Sequence, residues 1–247
     1  GILSLKVFED HLYAGTWNFL PETDWLNTSG CELWRTDGKE DSEGKLKWEQ
    51  VNESGFGKWN NSIDSLCIFK NKFYAGTTKF LGGCESWRSN DGKNWTQVAS
   101  NGFGDWMNID IWSMAIYGDF LYAGAVQPFM SIGDPPIDPT GCELWRTKNG
   151  TTWEQIGRDG FGNPTNTGVM NLCVFNGLLY AGVINLFSGS SSGSEIWRVA
   201  DNVEWLPPLE KKENNFQVGS IIPVEFTVES PEGKFIEGLT GFVNLLD

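Results

Sequence analysis

The chain has 247 residues, with 18 Lys or Arg against 32 Asp or Glu, so its net charge is −14 at pH 7. A strongly acidic surface repels phosphate backbones and anionic lipid heads, which argues against nucleic acid and membrane surfaces as partners. No apolar run approaches the ~20 residues of a membrane-spanning helix, so we expect no membrane insertion. Cations, basic proteins and neutral sugars remain as partner classes.

Four repeats follow one another along the chain, and each opens with two short apolar runs around a turn. In the first repeat the runs are 5–8 and 12–15, with the turn at Glu9 and Asp10. Such runs around turns that favour Asn, Gly and Asp predict β-hairpins. The tyrosines at the equivalent positions are 48 to 61 residues apart and are Tyr13, Tyr74, Tyr122 and Tyr180.

A third strand in each repeat carries the motif Gly-Cys-Glu-x-Trp-Arg, with Ser for Cys in the last repeat. The motif occupies residues 30–35, 83–88, 141–146 and 193–198. A fourth strand follows a tight turn and is expected to begin at Trp48, Trp95, Trp153 or Trp205. Four short strands in a period of ~40–50 residues are typical of a propeller blade.

We therefore predict an all-β fold, a β-propeller of four-stranded blades with a short C-terminal β-hairpin tail. Four repeats are recognisable, and a fifth blade or a partial ring is left open. The propeller is expected over residues 1–206, with blades at about 4–62, 63–112, 113–170 and 171–206. We expect a closed ring in which the tail or a second chain helps to seal the N-terminal blade.

The segment after Trp205 no longer follows the repeat. Residues 207–218 contain two adjacent prolines and a charged run, which predicts a linker. Residues 219–247 contain two β-prone stretches around a turn and form the expected tail. The chain begins at Gly1 without a recognisable signal peptide, so we interpret it as a processed or excised fragment.

The blades are joined by a recurring Gly-Phe-Gly sequence at 55–57, 102–104 and 160–162. Its glycines permit a positive φ where the chain crosses from one blade to the next. An Asn follows four residues after each last Gly and is expected to bind the exposed backbone of the crossing. These residues are Asn61, Asn108 and Asn166.

A Glu recurs in the third-strand motif with an Arg three residues later, at Glu32, Glu85, Glu143 and Glu195. We expect ion pairs or hydrogen bonds between adjacent blades, and a ring of carboxylates that binds a metal in the channel is the alternative. Equivalent positions do not supply the unlike environments that a glycosidase pair needs. We assign no catalytic residue, no metal ligand and no cofactor, and leave a structural Ca²⁺ open.

Five cysteines fall on two repeat positions, which favours small buried residues with free thiols over disulfides or a zinc site. They are Cys31, Cys67, Cys84, Cys142 and Cys173. The single histidine, His11, lies in a turn-like stretch and is expected at the surface.

The turn from Ser89 to Trp95, with Asp91 and Gly92, resembles the Asp-box, and residues 147–153 are a looser copy. Asp-boxes occur in sialidases and in non-enzymatic secreted propellers and are structural in both. The repeat as a whole resembles uncharacterised secreted or surface propeller proteins, and the tail resembles the start of an immunoglobulin-like module. The resemblance implies an extracellular or cell-surface location. The recurring arginines occupy one strand position, which argues against the arginine triad of a sialidase.

Five tryptophans lie outside the two repeat positions: Trp17, Trp25, Trp59, Trp106 and Trp112. All fall in or beside the loops between the second and third strands or the blade crossings, which emerge on one face of a propeller. The long insertions 16–29 and 125–140 emerge there too. Flat aromatic side chains suit stacking on sugar rings, so these residues are the candidate ligand-binding site. The alternative is that they only cap the core between blades.

We expect a non-catalytic extracellular binding or cell-surface structural module, one that binds carbohydrate through the aromatic loop face. Its partners would be a glycan or a surface protein, with an oligomer through the propeller edge or tail as an option. The alternative is a glycan-active enzyme, glycosidase-like or sialidase-like. An acidic pair placed asymmetrically across one pocket would favour the enzyme.

Overall fold

The computed structural model describes residues 1–18, 29–131, 137–187, 190–199, 221–226 and 241–246. The described regular structure is nearly all β and forms antiparallel blades of a β-propeller, as predicted, with short 3₁₀ helices at Ser54–Gly57, Asn101–Gly104 and Asp159–Gly162. The first blade consists of β1 (Ile2–Phe8), β2 (His11–Thr16), β3 (Leu33–Thr36) and β4 (Glu49–Gln50). The second consists of β5 (Ser62–Phe69), β6 (Lys72–Thr78), β7 (Ser86–Ser89) and β8 (Trp95–Ala99).

The third blade consists of β9 (Asp110–Tyr117), β10 (Phe120–Val126), β11 (Leu144–Thr147) and β12 (Glu154–Gly157). The fourth contains β13 (Asn166–Phe175), β14 (Leu178–Phe187) and β15 (Ser190–Val199), and its expected last strand at Trp205 lies outside the described residues. Two tail strands follow, β16 (Ile221–Phe226) and β17 (Gly241–Leu246). No helix in the described part of the chain is long and apolar enough to cross a membrane.

The inner strands of neighbouring blades approach closely at the glycine of each Tyr-Ala-Gly sequence. A Cβ at Gly15 would lie 2.9 Å from the Ile63 side chain, and Gly76 and Gly124 face the next blade in the same way. Beside this contact the Ser4 hydroxyl donates to the Ile63 carbonyl at 2.7 Å. The same bond recurs from Ser65 to Ile111 at 2.7 Å and from Ser113 to Val169 at 3.0 Å.

The crossings are fixed to the preceding blade through the backbone of the repeated Cys. The Cys31 N–H donates to the Asn60 carbonyl at 2.9 Å, and the Gly55 N–H donates to the Cys31 carbonyl at 2.7 Å. A Cβ at Gly30, whose φ is +81°, would lie 2.5 Å from the Gly55 nitrogen. Both bonds and the same close approach recur at Cys84 and Cys142, which explains why each motif begins with Gly-Cys.

The crossing is tied to the following blade by an Asn–Glu hydrogen bond. Asn108 Nδ2 donates to the Gly102 carbonyl at 2.9 Å and to Glu143 Oε2 at 2.5 Å. Asn166 makes the equivalent bonds to Gly160 and Glu195. In the first crossing this position belongs to Asn60 and not to the predicted Asn61, because that crossing is one residue shorter.

The recurring Glu also accepts a hydrogen bond from the Trp two residues later, for example from Trp145 Nε1 to Glu143 Oε2 at 2.8 Å. The expected hydrogen bonds between blade segments are therefore present, but the Arg of the motif is not the partner of this Glu. Arg146 Nε instead donates to Glu154 on the next strand at 2.6 Å. The Arg lies on the opposite face of the strand from Glu and Trp, as alternation requires.

Each joint, the interface between two neighbouring blades, contains an aromatic contact. Phe56 stacks on Trp87 with ring centroids 4.7 Å apart, and Phe103 and Trp145 stack at 5.1 Å. Phe56 and Phe103 have φ of +55° and +63°, a conformation that costs a non-glycine residue about 1–2 kcal/mol. Aromatic stacking and burial of the ring offset this cost, so the Phe is held in place by the joint itself.

The five cysteines are free thiols, as predicted, and four are buried, whereas Cys173 in the fourth blade is exposed. The described residues of the single chain do not close a ring, and closure with the help of a second chain stays a prediction. The outward faces of the first and fourth blades remain exposed, so the four blades form an open arc. The described tail strand β17 pairs with β15 of the fourth blade and not with the N-terminal blade.

Replacing Asn108 with Ala is expected to lower the free energy of unfolding by about 1–3 kcal/mol, because the buried Glu143 carboxyl and Gly102 carbonyl each lose a donor. Chemical denaturation measures the change. Asn90→Ala, at an exposed position, is the matched control and should change stability by less than about 0.5 kcal/mol. Equal effects of the two substitutions would show that the Asn–Glu bond contributes no stability.

Candidate functional site

Two carboxyl groups meet where the inner strands of the second and third blades begin. Asp64 lies on β5, and Asp110 is the first residue of β9. Ser62 Oγ and Thr78 Oγ1 donate to Asp64 Oδ2 at 2.6 and 2.8 Å. Asp110 is buried, its Oδ1 receives no donor from the described residues, and its carboxyl lies within hydrogen-bond reach of the Asp64 carboxyl.

The Asp64–Asp110 pair does not belong to the repeat. When the blades are aligned on their inner-strand Ser, the position of Asp64 is taken by Trp112 in the third blade, and the position of Asp110 by Ser62 in the second. The two acids thus occupy different positions in neighbouring blades. Because equivalent blades fold without either carboxyl, the propeller does not need the pair for its packing.

Burial raises the pKa of both carboxyls. For Asp64, the hydrogen bonds from Ser62 and Thr78 act against this rise. For Asp110, the neighbouring Asp64 charge adds to burial, and its pKa lies well above the ordinary value. Two adjacent buried carboxyls cannot both ionise cheaply, so the pair retains one proton above the usual range of Asp.

The pair lies at the propeller edge from which the long insertions emerge. Ser62 pairs with Thr78 and Asp110 with Val126, so both acids sit where a first strand starts and a second strand ends. The Trp17 backbone forms a β-bridge with Ser62, which brings the loop after β2 to the same edge.

Of the predicted tryptophans, Trp17 is tied to this edge by its β-bridge to Ser62, and the assignment of the five as a ligand site stays a prediction. Trp17, Trp59 and Trp106 are exposed and Trp112 is partly buried. Trp25 lies outside the described residues, as does Asp134 in the second insertion. A cavity of about 180 Å³ lies between the first two blades and is lined by none of the five: its walls are Asn52, Glu53, Phe56, Trp87, Lys93 and Trp95.

A third carboxyl with a raised pKa is Glu143, and here the expectation that equivalent positions share one environment is wrong. In the second blade, burial opposes ionisation of Glu85, but Lys79 at 2.8 Å and other donors lower its pKa overall. Burial raises the pKa of Glu143, and the charge of Asp105 adds to the rise. Burial raises the pKa of the Cys84 thiol, and the charges of Asp110 and Glu143 add to the rise.

No group of three or more metal-binding side chains occurs within the described ranges. The recurring Glu oxygens are engaged by Asn and Trp donors, as at Glu143, rather than directed together at one point. The carboxylate ring proposed as an alternative therefore has no geometric support in the part of the chain that the structure describes.

No protein-family model and no curated protein matches the chain. Among solved structures, it is similar to CoXyl43, a GH43 β-xylosidase/α-arabinofuranosidase from a compost microbial metagenome in complex with xylotriose (TM-score 0.47, 10% identity, 98% of this chain and 89% of that chain). It is also similar to the Cellvibrio cellulosa α-L-arabinanase complexed with arabinohexaose (TM-score 0.43, 13% identity, 98% and 75%). A Saccharomyces cerevisiae complex of dbp5, nup159 and gle1 matches as well (TM-score 0.39, 10% identity), and there the chain spans 47% of its match.

The comparisons contradict the expectation of a non-catalytic module, because glycosidases recur among the similar structures. The likeness is one of fold, and the activities of those proteins remain their own. The acidic pair was missed because Asp64 and Asp110 are 46 positions apart and neither recurs; the packing of β5 against β9 of the next blade brings them together.

The pair predicts a pH-dependent stability. Since burial raises the folded-state pKa of Asp110, the folded protein binds more protons than the unfolded chain above the ordinary value of 3.8. Stability contributed by the protonated pair is therefore lost as the pH rises from that value through the folded-state pKa. Asp110→Asn should remove this part of the decline, because the amide supplies a donor at every pH.

Denaturant unfolding of both proteins from pH 4 to 9 measures this difference. Asp119→Asn, at an exposed position, is the control for the loss of one negative charge. Its free energy of unfolding should fall with rising pH as steeply as that of the wild type. If the free energy of unfolding falls with pH equally in the wild type, Asp110→Asn and Asp119→Asn, then Asp64 and Asp110 do not share a proton.

Proposed function

We propose that the protein is a glycoside hydrolase whose general acid is the Asp64–Asp110 pair. The single observation that supports this is the placement of two adjacent, largely buried carboxyls with raised pKa at the edge where the insertion loops emerge. A general acid must carry its proton near neutral pH, and burial beside a second carboxyl is the arrangement that achieves this.

The two carboxyls act as one unit. In a glycosidase the acid and the second carboxylate stand ~5–9.5 Å apart, on either side of the scissile bond. Asp64 and Asp110 are too close to each other for a sugar to lie between them. One therefore holds the proton for the glycosidic oxygen, and the other raises its pKa and fixes its orientation.

The second catalytic carboxylate comes, in this proposal, from the insertions 16–29 and 125–140. Glu143 is less suitable because Asn108 and Trp145 already donate to its Oε2 atom. The insertions carry four acidic residues, Glu22, Asp24, Asp134 and Asp138. This second carboxylate must lie across the sugar at the separation that the pair itself cannot provide.

The substrate class is a neutral glycan. A net charge of −14 disfavours polyanionic sugars, and the exposed Trp17, beside Ser62, offers an aromatic surface at the same edge. Oligosaccharides of xylose and arabinose are the first to test, since such sugars are bound in two of the similar structures. We further propose a secreted or cell-surface location; the Asp-box and immunoglobulin-like resemblances stay predictions.

The test is a hydrolysis screen that covers neutral xylo-, arabino-, gluco- and galacto-oligosaccharides. With the substrate that is cleaved, Asp64→Asn and Asp110→Asn should each lower kcat/KM by about 10²–10⁴-fold, because an amide cannot supply the acid proton. Asp119→Asn serves as the control and should retain full activity. No cleavage of any substrate by the folded wild type, or full activity in both pair variants, would contradict the proposal.

A further inference from the structure

Each joint between blades is formed by two recurring surfaces. We call the surface turned toward the next blade the front face; in the first blade it carries Phe8, Tyr13 and Gly15. The surface turned toward the preceding blade is the back face; in the second blade it carries Ile63 and Phe73. Phe8 stacks on Phe73 at 4.9 Å, and Tyr13 meets the same ring edge-on at 4.8 Å.

The front face of the fourth blade is exposed, and no described residue of another blade packs on it. Phe175 is 62% exposed, whereas the equivalent Phe8, Phe69 and Tyr117 are 5%, 3% and 9% exposed. Ile196 is 41% exposed, whereas the equivalent Leu33 is fully buried. Two further residues of this face are exposed, Asn171 at the Ser position and Cys173 at the position of the buried Cys67.

The back face of the first blade likewise exposes apolar residues at positions that are buried in the other blades. Ile2 is 56% exposed, whereas Ile63, Ile111 and Val169 at the same position are fully buried. Leu5 is 62% exposed, whereas the equivalent Leu66 packs into the core between the first two blades.

The fourth front face keeps the shape that receives another blade. At Gly15, Gly76 and Gly124 the next inner strand approaches so closely that a Cβ would collide with it. Gly182 holds the same position, but a Cβ there would meet nothing closer than 3.7 Å. Internal packing of the fourth blade therefore does not require this glycine, whereas docking of a further blade does.

We infer that the front face of the fourth blade binds the back face of the first blade of a second copy of this chain, head to tail. The contact would continue the three joints already present within the chain. In this contact Phe175 and Gly182 would occupy the positions that Phe8 and Gly15 have in the first joint. Ile2 of the second copy would occupy the position of Ile63. The two described tail strands leave the site open, because β17 pairs along the edge of β15 while Phe175 and Ile196 remain exposed.

A head-to-tail contact uses two different surfaces, so it can be tested by complementation. Sedimentation of the wild type should show association that increases with concentration. Phe175→Asp removes the front face, Leu5→Asp removes the back face, and each variant alone should be monomeric. A mixture of the two should form a one-to-one dimer, since each supplies the face that the other lacks. Leu81→Asp, at an exposed loop position of the second blade, should associate like the wild type.

The thiol of Cys173 gives a second readout without any substitution. The other four cysteines are buried, so the rate of reaction with a maleimide reports on the fourth front face. The rate should fall at least tenfold between concentrations at which the protein is monomeric and associated. A wild type that stays monomeric at millimolar concentration, or a mixture of the two Asp variants that does not dimerise, would overturn the inference. Thiol reactivity that is independent of concentration would do the same.

Discussion

The rest of the structure depends on the hydrogen-bonded crossing between blades. At each crossing the backbone of a Cys is bonded in both directions to the connecting segment, and an Asn side chain then links that segment to a Glu of the next blade. These groups are buried, so an unmade bond would cost the desolvation of an unpaired polar group. The Gly-Cys and Gly-Phe-Gly sequences follow from this geometry, because a side chain on these glycines would displace the backbone that must bond.

The same crossing positions the candidate site. Asn108 precedes Asp110 by two residues, and Asn60 precedes Asp64 by four. Because both Asn side chains are hydrogen-bonded, they fix the start of the inner strand that carries each carboxyl. The carboxyls are thereby kept adjacent in a setting that opposes their joint ionisation. The scaffold supplies burial and orientation, and the functional residues are the ones that depart from the repeat.

The sequence predicts the blades well because each strand and turn occurs in several repeats. The turn at Asn176 and the strand at Trp95 can therefore be recognised by comparison with the equivalent segments of the other repeats. The free thiols follow from the same comparison.

The sequence does not predict features that occur only once. Asp64 and Asp110 carry no recurring signal, and their proximity depends on how two strands of different blades pack against each other. Asn60 was missed because one crossing is a residue shorter, and the open faces at Ile2 and Phe175 depend on the number of blades, which a repeat pattern does not encode.

The most direct test of the account is a crystal structure of the Asp64→Asn variant with a bound oligosaccharide that the wild type cleaves. The account predicts a sugar at the edge formed by the starts of β5 and β9, with its glycosidic oxygen within hydrogen-bond distance of position 64 or 110. A loop carboxylate should stand on the other side of the same bond. A sugar bound elsewhere, for example in the cavity beside Trp87 and Trp95, with the acidic pair closed off from it, would contradict the account.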